Sequence, residues 1–380
     1  MKFLRKAKSS DLKGVAIVAL DFNTEDDWRL RASLPTVKFL SSKGAKVLIL
    51  SHKGRPKGIE PKLSLKKDAI KLAKLTGLKV SFINNFNLKS AKSRIAEAPK
   101  ASVFVLENIR FLKGEYDNSP KLAKELAGLG DFYVNDAFAN SHRDDVSVDA
   151  ITRFLPSFAG FGFEGEILHL SKLMKKPKRP LVLIVGGGKA DDKVALMKFF
   201  KNRADYILTG GAAANTLLLA SGYDIQGSLA DRSGAKNFRD ILKFKNLLLP
   251  LDYAVSGGKI LDIGAKTVEF YVSKIKEART VIWNGPVGLF EKKPFDRGTL
   301  ALARAVAGNG KCFSVAGGGE TVMFLKKHGL DKKFTFISTG GGAMLDFLAG
   351  KKLPGVEALR RESFRRRRIL PRRKNMNLSR

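Results

Sequence analysis

Short apolar, β-branched runs alternate along this chain with longer stretches whose apolar residues recur every three or four positions. In the first half, Gly14–Leu20, Lys46–Leu50, Val80–Ile83, Ser102–Leu106 and Asp131–Val134 have the length and composition of strands. In the second half the same holds for Leu181–Val185, Tyr206–Leu208, Asn246–Leu249, Thr280–Trp283, Phe313–Val315 and Phe334–Ile337. Helical periodicity fills the intervals, as in Leu65–Leu75 and Ala190–Phe200. Such alternation predicts parallel sheets covered by helices on both faces, hence two doubly wound, Rossmann-like α/β domains. Glu164–Lys175 has a helical pattern that the polar run Lys175-Lys176-Pro177-Lys178-Arg179-Pro180 ends. The expected division is therefore residues 1–172 and 173–359, joined by a helical hinge, with the last segment returning to the first domain.

Composition narrows the picture. At 380 residues the chain can bury two cores, and 44% hydrophobic with 28% charged residues is ordinary for a soluble globular protein. No apolar run approaches the length of a membrane span, and Met1–Ser10 lacks the apolar centre of a signal peptide, so a cytoplasmic protein is expected. The lone Cys312, in an apolar run, is expected to be a buried structural thiol, and no Cys/His metal cluster is present in the sequence. The net charge of +34 has two sources. From Arg360 to Arg380 ten Lys/Arg face one acid, Glu362, giving +9 and leaving +25 on the body. The tail has too few apolar residues for a core and is expected to be disordered or a frayed helix end. The body carries scattered lysines, which usually mark a solvated surface but attract polyanions in a salt-dependent way.

Ligands of open α/β sheets bind beyond the carboxyl ends of the strands. In the first half those positions hold Asp21 and Asn23, then His52 and Arg55, Arg110, and His142 with Arg143, while Arg29 follows in a loop or helix start. Guanidinium groups bind carboxylate and phosphate bidentately, so arginines converging there would hold a small, multiply charged acid; the alternative is a set of unrelated surface arginines. The second half carries the glycine triplets Gly186–Gly188, Gly317–Gly319 and Gly340–Gly342, each following a short apolar or β-branched run. Together they suggest a phosphate-binding wall that presents backbone N–H groups. Lys189 and Lys193, four apart on one helix face, can supply ammonium groups, although Ala190 and the glycine spacing exclude a Walker A loop. Gly160-Phe161-Gly162-Phe163-Glu164-Gly165 fits GxGxxG, but with no strand expected before it the segment is assigned to a loop. Glu320, after a triplet, would either ligate Mg²⁺ or cap the next helix.

These segments, in this order, carry a family resemblance from Gly14 to about Leu359. Leu20-Asp21-Phe22-Asn23, Arg29–Thr36, Ser51–Gly58, Leu106–Phe111, Asn135–Phe138, Gly186–Lys189, Trp283–Glu291, Gly317–Thr321 and Ser338–Ala343 resemble the motifs of the phosphoglycerate kinases. The resemblance implies reversible phosphoryl transfer between ATP and 3-phosphoglycerate, giving ADP and 1,3-bisphosphoglycerate, with Mg²⁺ on the nucleotide, by a cytoplasmic monomer. It places Asp21, Phe22, Asn23, Arg29, His52, Arg55, Arg110 and Arg143 at the acid. Lys189, Lys193, Glu291 toward the ribose, and Gly318-Gly319-Glu320-Thr321 fall at the nucleotide, with Glu320 a candidate metal ligand. Arg29, Lys193 and the N–H groups of Gly340 and Gly341 would stabilise the group in flight. Because the acceptor is an ionised carboxylate, no general base is needed; positioning, charge stabilisation and closure of the two domains would do the catalysis.

The chain departs from the family pattern at several places. Ala19 stands for an Arg, Thr24 and Glu25 for Val-Pro, the stretch Asp144-Asp145 after Arg143 for one with a second His, Glu320 for Asp, and Ile260 for a Gly near the adenine pocket. Two other readings follow: a nucleic-acid-binding protein using its basic tail on the same scaffold, and a catalytically weak relative. Salt-dependent RNA binding lost with Arg360–Arg380 would mark the first, and a coupled kinase assay separates the second.

Overall fold

The computed structural model describes residues 1–24, 27–189 and 191–369. The chain forms two compact units, Met1–Gly165 together with the chain from Lys352, and Glu166–Lys351. In the first unit six strands, β1 (Val15–Ala19), β2 (Lys46–Leu50), β3 (Val80–Ile83), β4 (Val103–Leu106), β5 (Phe132–Asn135) and β6 (Ser157–Ala159), make one sheet in the order β3-β4-β2-β1-β5-β6. Every pairing is parallel. Alternate residues enter two cores: Ala16, Val18, Val47 and Ile49 lie in one, and Ile17, Ala19, Leu48 and Leu50 in the other. A strand buried on both faces has no polar side, which is why these runs are continuously apolar.

In the second unit β7 (Leu181–Val185), β8 (Tyr206–Thr209), β9 (Leu247–Leu248), β12 (Thr280–Asn284), β13 (Phe313–Gly317) and β14 (Phe336–Ile337) form a parallel sheet, β14-β13-β12-β7-β8-β9. The chain builds outward from β7 through β8 to β9, then crosses to β12 on the other side. The topological switch point therefore lies between β7 and β12, where ligands of such sheets bind. A separate antiparallel hairpin, β10 (Tyr253–Ser256) and β11 (Lys259–Ile263), was not among the expected strands. Its turn is Gly257-Gly258 with φ of 54° and 70°, the left-handed pair that a tight hairpin demands.

Two expectations need correction. A strand does precede Gly160: β6, three residues long, pairs with β5, and the helix Phe161–Lys175 follows. It escaped notice because three residues show no periodicity. No pyrophosphate cradle results, since a Cβ on Gly160 would lie 2.5 Å from Cγ of Asp136, whose Oδ1 accepts the N–H of Phe163 at 2.8 Å. The chain thus supplies its own anion to this helix terminus. Second, the unit boundary falls between Gly165 and Glu166 within that helix, and the polar run Lys175–Pro180 lies inside the second unit. Glu166 explains this, being buried and accepting from Ser338 Oγ at 2.7 Å and from Thr339 Oγ1 at 2.9 Å. The start of the basic tail is helical, in Pro354–Ile369, in line with the helix-end alternative. Gly355 N–H donates to Ser141 O, and Arg361 pairs with Asp149. Residues 370–380 lie outside the described residues.

Burial pushes Asp136 up to about 6 from an ordinary carboxyl near 3.8. Between those values the folded state binds the proton more tightly than the unfolded chain, so this residue's contribution to stability falls as pH rises from about 4 to 6 and is flat above. Asp136→Asn keeps an acceptor for Phe163 and should remove that slope, an effect on the order of 2 kcal/mol. Urea midpoints of both proteins from pH 4 to 7 measure it; a variant that still shows the wild-type slope would contradict the assignment.

Candidate active site

The chain leaving β1 is tied to the chain leaving β2, because Ser51 Oγ donates to Leu20 O at 2.7 Å and accepts Phe22 N–H at 3.1 Å. Asp21 is thereby fixed at the carboxyl end of the sheet, buried, with Oδ2 2.7 Å from Arg29 Nη1 and Oδ1 accepting Asn23 N–H at 2.8 Å. Its Oδ1 also lies 3.7 Å from His52 Nε2. Asn23 Oδ1 accepts the N–H of Gly54 at 2.8 Å. After β4, Asn108 accepts Arg110 N–H and donates to Lys53 O and Leu63 O, which locks the Arg110 turn to the loop carrying His52 and Arg55. Arg110 is buried, donates from Nη1 to Gly54 O at 2.7 Å, and lies over the Tyr116 ring.

These groups share one electrostatic environment. Burial pushes His52 down to about 3; Asp21 opposes the shift, and the guanidinium groups of Arg110, Arg143 and Arg29 add to it. His52 is therefore neutral at physiological pH and offers hydrogen bonds rather than charge. Burial opposes the charge of Asp21, yet Arg29 and the Asn23 N–H hold its carboxyl below the ordinary range. The half-buried Arg143 is lowered by burial and then by Arg110, with Arg55 contributing, so Arg55 and Arg143 belong to the same cluster. The buried Nε atoms of Arg29 and Arg110 have no hydrogen-bond partner among the described residues. Cations whose buried donors are unmet at a strand-end cluster are what an incoming polyanion would satisfy. Phe22 departs from its expected place, for its ring is buried in the core and only its backbone borders the cluster.

In the second unit, the loops after β7 and β12 touch backbone to backbone. A Cβ on Gly285 would fall 2.1 Å from Gly186 O, and one on Gly186 would fall 2.1 Å from Pro286 O. Trp283, fully buried, donates from Nε1 to Gly285 O at 2.7 Å, and Thr321 Oγ1 accepts Gly285 N–H at 2.8 Å. Two adjoining cavities result, sharing Gly187, Gly188 and Glu320. One, of about 250 Å³, is lined by Lys189, Lys193, Asn284, Gly318, Gly319 and Gly341 among others. The other, of about 390 Å³, is mostly apolar, with Leu229, Ile260, Val287 and Phe290 in its walls and Lys259, Asp262 and the exposed Glu291 among its polar groups. A small, lysine- and glycine-lined chamber joined to a larger apolar one has the chemistry of a phosphate chain followed by a nucleoside. Lys193 is buried; burial lowers it, while Asp192 and Glu320 hold it up and Lys189 adds to the lowering.

The glycine triplets do not all present free N–H groups, as expected from the sequence. Gly186 and Gly187 donate to Asn284 O and Pro286 O, so the first triplet serves close packing. Gly340 N–H donates to Ser338 Oγ at 3.1 Å, held in turn by Glu166, and Gly341 and Gly342 rather than Gly340 line the small cavity. After the second triplet, Gly319, Glu320 and Thr321 open a helix whose first-turn N–H groups have no acceptor within it. Glu320 faces the cavities, its Oε2 3.3 Å from where a Cβ on Gly187 would sit, which favours a ligand-facing over a capping role. Among the described residues no group of three or more His, Cys, Asp or Glu could hold a metal ion alone. Cys312 is half-buried rather than buried, and burial pushes its thiol up to about 11, leaving little nucleophilic thiolate.

Three functional positions were missed in the sequence. Asn284, at the end of β12, lines the small cavity with its side chain against Gly318, a place its position in the Trp283–Gly285 run could have signalled. Lys259 lines the larger cavity from a hairpin that was not expected. Asp145, seen only as an odd acid beside Arg143, is buried and paired with Arg110, whereas its neighbour Asp144 is exposed.

Known proteins match this chain over most of its length. The family model described as phosphoglycerate kinase matches residues 16–351. Phosphoglycerate kinase of Dictyoglomus turgidum is 39% identical, covering 94% of this chain and 98% of its own, and that of Rhodospirillum centenum is 41% identical, covering 89% and 93%. The solved phosphoglycerate kinase of Pyrococcus horikoshii superposes with a TM-score of 0.86 at 30% identity over 96% of this chain and all of its own, and that of Coxiella burnetii with 0.80 at 33% over 94% and 98%. With its arginine cluster in one unit and its paired cavities at the switch point of the other, the chain belongs to the phosphoglycerate kinase family.

Proposed function

We propose that this chain transfers a phosphoryl group reversibly between ATP and the carboxylate of 3-phosphoglycerate, with the acid held by the arginine cluster and the nucleotide by the two adjoining cavities. The observation that carries the reading is the pair of guanidinium groups, the half-buried Arg29 and the buried Arg110, whose buried Nε atoms have no hydrogen-bond partner among the described residues. The acceptor oxygen is already anionic, so no base must deprotonate it, and His52, held near 3, is not poised to be one. Asn23, His52, Arg55, Arg110 and Arg143 hold the acid's phosphate and hydroxyl ends. Arg29, kept in place by Asp21, lies against the carboxylate and stabilises negative charge as the phosphoryl arrives. On the nucleotide, Lys189 and Lys193 bind phosphate oxygens, and the first turn of the Gly319–Lys327 helix donates N–H groups. The larger cavity takes the base, with Glu291 at the ribose.

Glu320, facing the small cavity, fits a single carboxylate ligand of Mg²⁺ held mainly by the nucleotide phosphates. Bound there, the ion would neutralise phosphate charge as the bridging bond breaks. Acid and nucleotide residues belong to different units, so the catalytic cycle must bring the two ligands together and shed water from the acyl phosphate. No helix among the described residues is long and apolar enough to cross a membrane.

In a coupled assay with saturating ATP, Arg29→Ala should lower kcat roughly 10²- to 10³-fold, with partial recovery in Arg29→Lys. Near-normal turnover of Arg29→Ala would remove Arg29 from catalysis. Chelation should abolish turnover and added Mg²⁺ restore it, while Glu320→Gln should raise the Mg²⁺ concentration for half-maximal rate about tenfold. An unchanged Mg²⁺ requirement in that variant would assign the metal contact elsewhere.

A further inference from the structure

The two arginines with unmet Nε donors differ in how their own carboxylate partners hold them. Asp21 grips Arg29 at 2.7 Å, within a strong charge-assisted hydrogen bond. Asp145 stands 3.5 Å from Arg110 Nη2, at the edge of hydrogen-bond range, although both residues are buried. The loop that carries Asp145 is firmly anchored. Ser147 Oγ donates to Glu115 Oε1 at 2.6 Å, Val146 N–H donates to Glu115 O at 2.9 Å, and Tyr133 Oη donates to Ser147 O at 2.5 Å. Asp145 Oδ2 also accepts from Asn140 Nδ2 at 3.4 Å. The long pair is therefore set by the scaffold.

We propose that Asp145 is an internal counter-anion that competes with the incoming anion for Arg110, and so sets how tightly the arginine cluster binds its substrate. Resting on the assignment of 3-phosphoglycerate to this cluster, the inference adds a residue that weakens binding. Asp145 places a carboxylate against an arginine of the anion site. Arg110, Arg143, Asp144, Glu115 and Tyr116 are the ionisable groups that face or surround Asp145. Burial pushes Asp145 up, while Arg110 and Arg143 restrain the rise, so its charge is supported by the same cations that a bound phosphate would claim. Glu115 is pushed up to about 8 by burial and is protonated at neutral pH, which leaves Asp145 as the buried counter-charge beside Arg110. An anion that takes Arg110 must displace that interaction, and its affinity is lower by the difference.

The test uses the full chain, Asp145→Asn and Asp145→His, with inorganic sulfate as a probe that needs no turnover. Both variants should lower KM for 3-phosphoglycerate at least about fivefold with kcat within about twofold, and should reduce to a similar extent the sulfate concentration giving half-maximal protection against thermal unfolding. In an Arg110→Gln background, Asp145→Asn should no longer change the sulfate midpoint, a coupling that a merely structural role would not produce. Unchanged or higher sulfate midpoints in both variants would overturn the proposal, as would an effect of the same size without Arg110. Tighter sulfate binding with no change in KM would uphold the competition at Arg110 but refute 3-phosphoglycerate as the ligand of this cluster.

Discussion

The nucleotide half of this molecule depends on a contact that contains no side chain. Where the loops after β7 and β12 cross, Gly285 and Gly186 approach so closely that a single added carbon on either would collide with backbone oxygen. Repulsion at that distance cannot be relaxed by a rotamer, because both partners are main chain. The contact brings the Gly187 turn, Asn284 and the helix opened by Gly319 around one space, and the buried Trp283 and Thr321 hold the crossing in register through Gly285. A wall built this way lets phosphate oxygens approach the main chain, which bulkier residues would prevent.

The acid half is organised by charge rather than by shape. Its carboxylates are distributed among its cations with different degrees of grip, and its imidazole is kept neutral by burial among guanidinium groups. A site made only of cations would be costly to fold, because like charges would repel in a poorly solvated place. Internal anions make the free protein tolerable and leave enough unmet donors to hold a ligand. Affinity is thus a remainder after the protein's own pairs are counted, which is why one residue such as Asp145 can matter.

How much of this was legible in the sequence depended on the kind of interaction. The sheets were, because strands buried on both faces must be apolar throughout, and β2, β3 and β7 run between the very residues their composition marks. The arginine cluster was, since each member follows a strand. Loops and short elements were less so: β6 is three residues long, and the hairpin β10–β11 carried its signal only in Gly257-Gly258. The use made of each backbone N–H was not legible at all. Gly340 and Gly341 are neighbours of one type, yet the first donates to Ser338 because Glu166, far away in sequence, positions that hydroxyl. Phe22 lies between two site residues and faces the core, as alternation along extended chain requires.

Asp136 gives the GxGxxG segment a meaning beyond misassignment. Strand, glycine turn and helix start are all in place there, and the position that a nucleotide's phosphate would occupy in such a unit is filled by a carboxylate from the neighbouring strand end. The segment is a plugged socket. Its architecture is retained while its capacity is spent on bracing the first turn of a long helix, so one local geometry serves as receptor or as rivet according to whether its anion arrives by diffusion or along the chain.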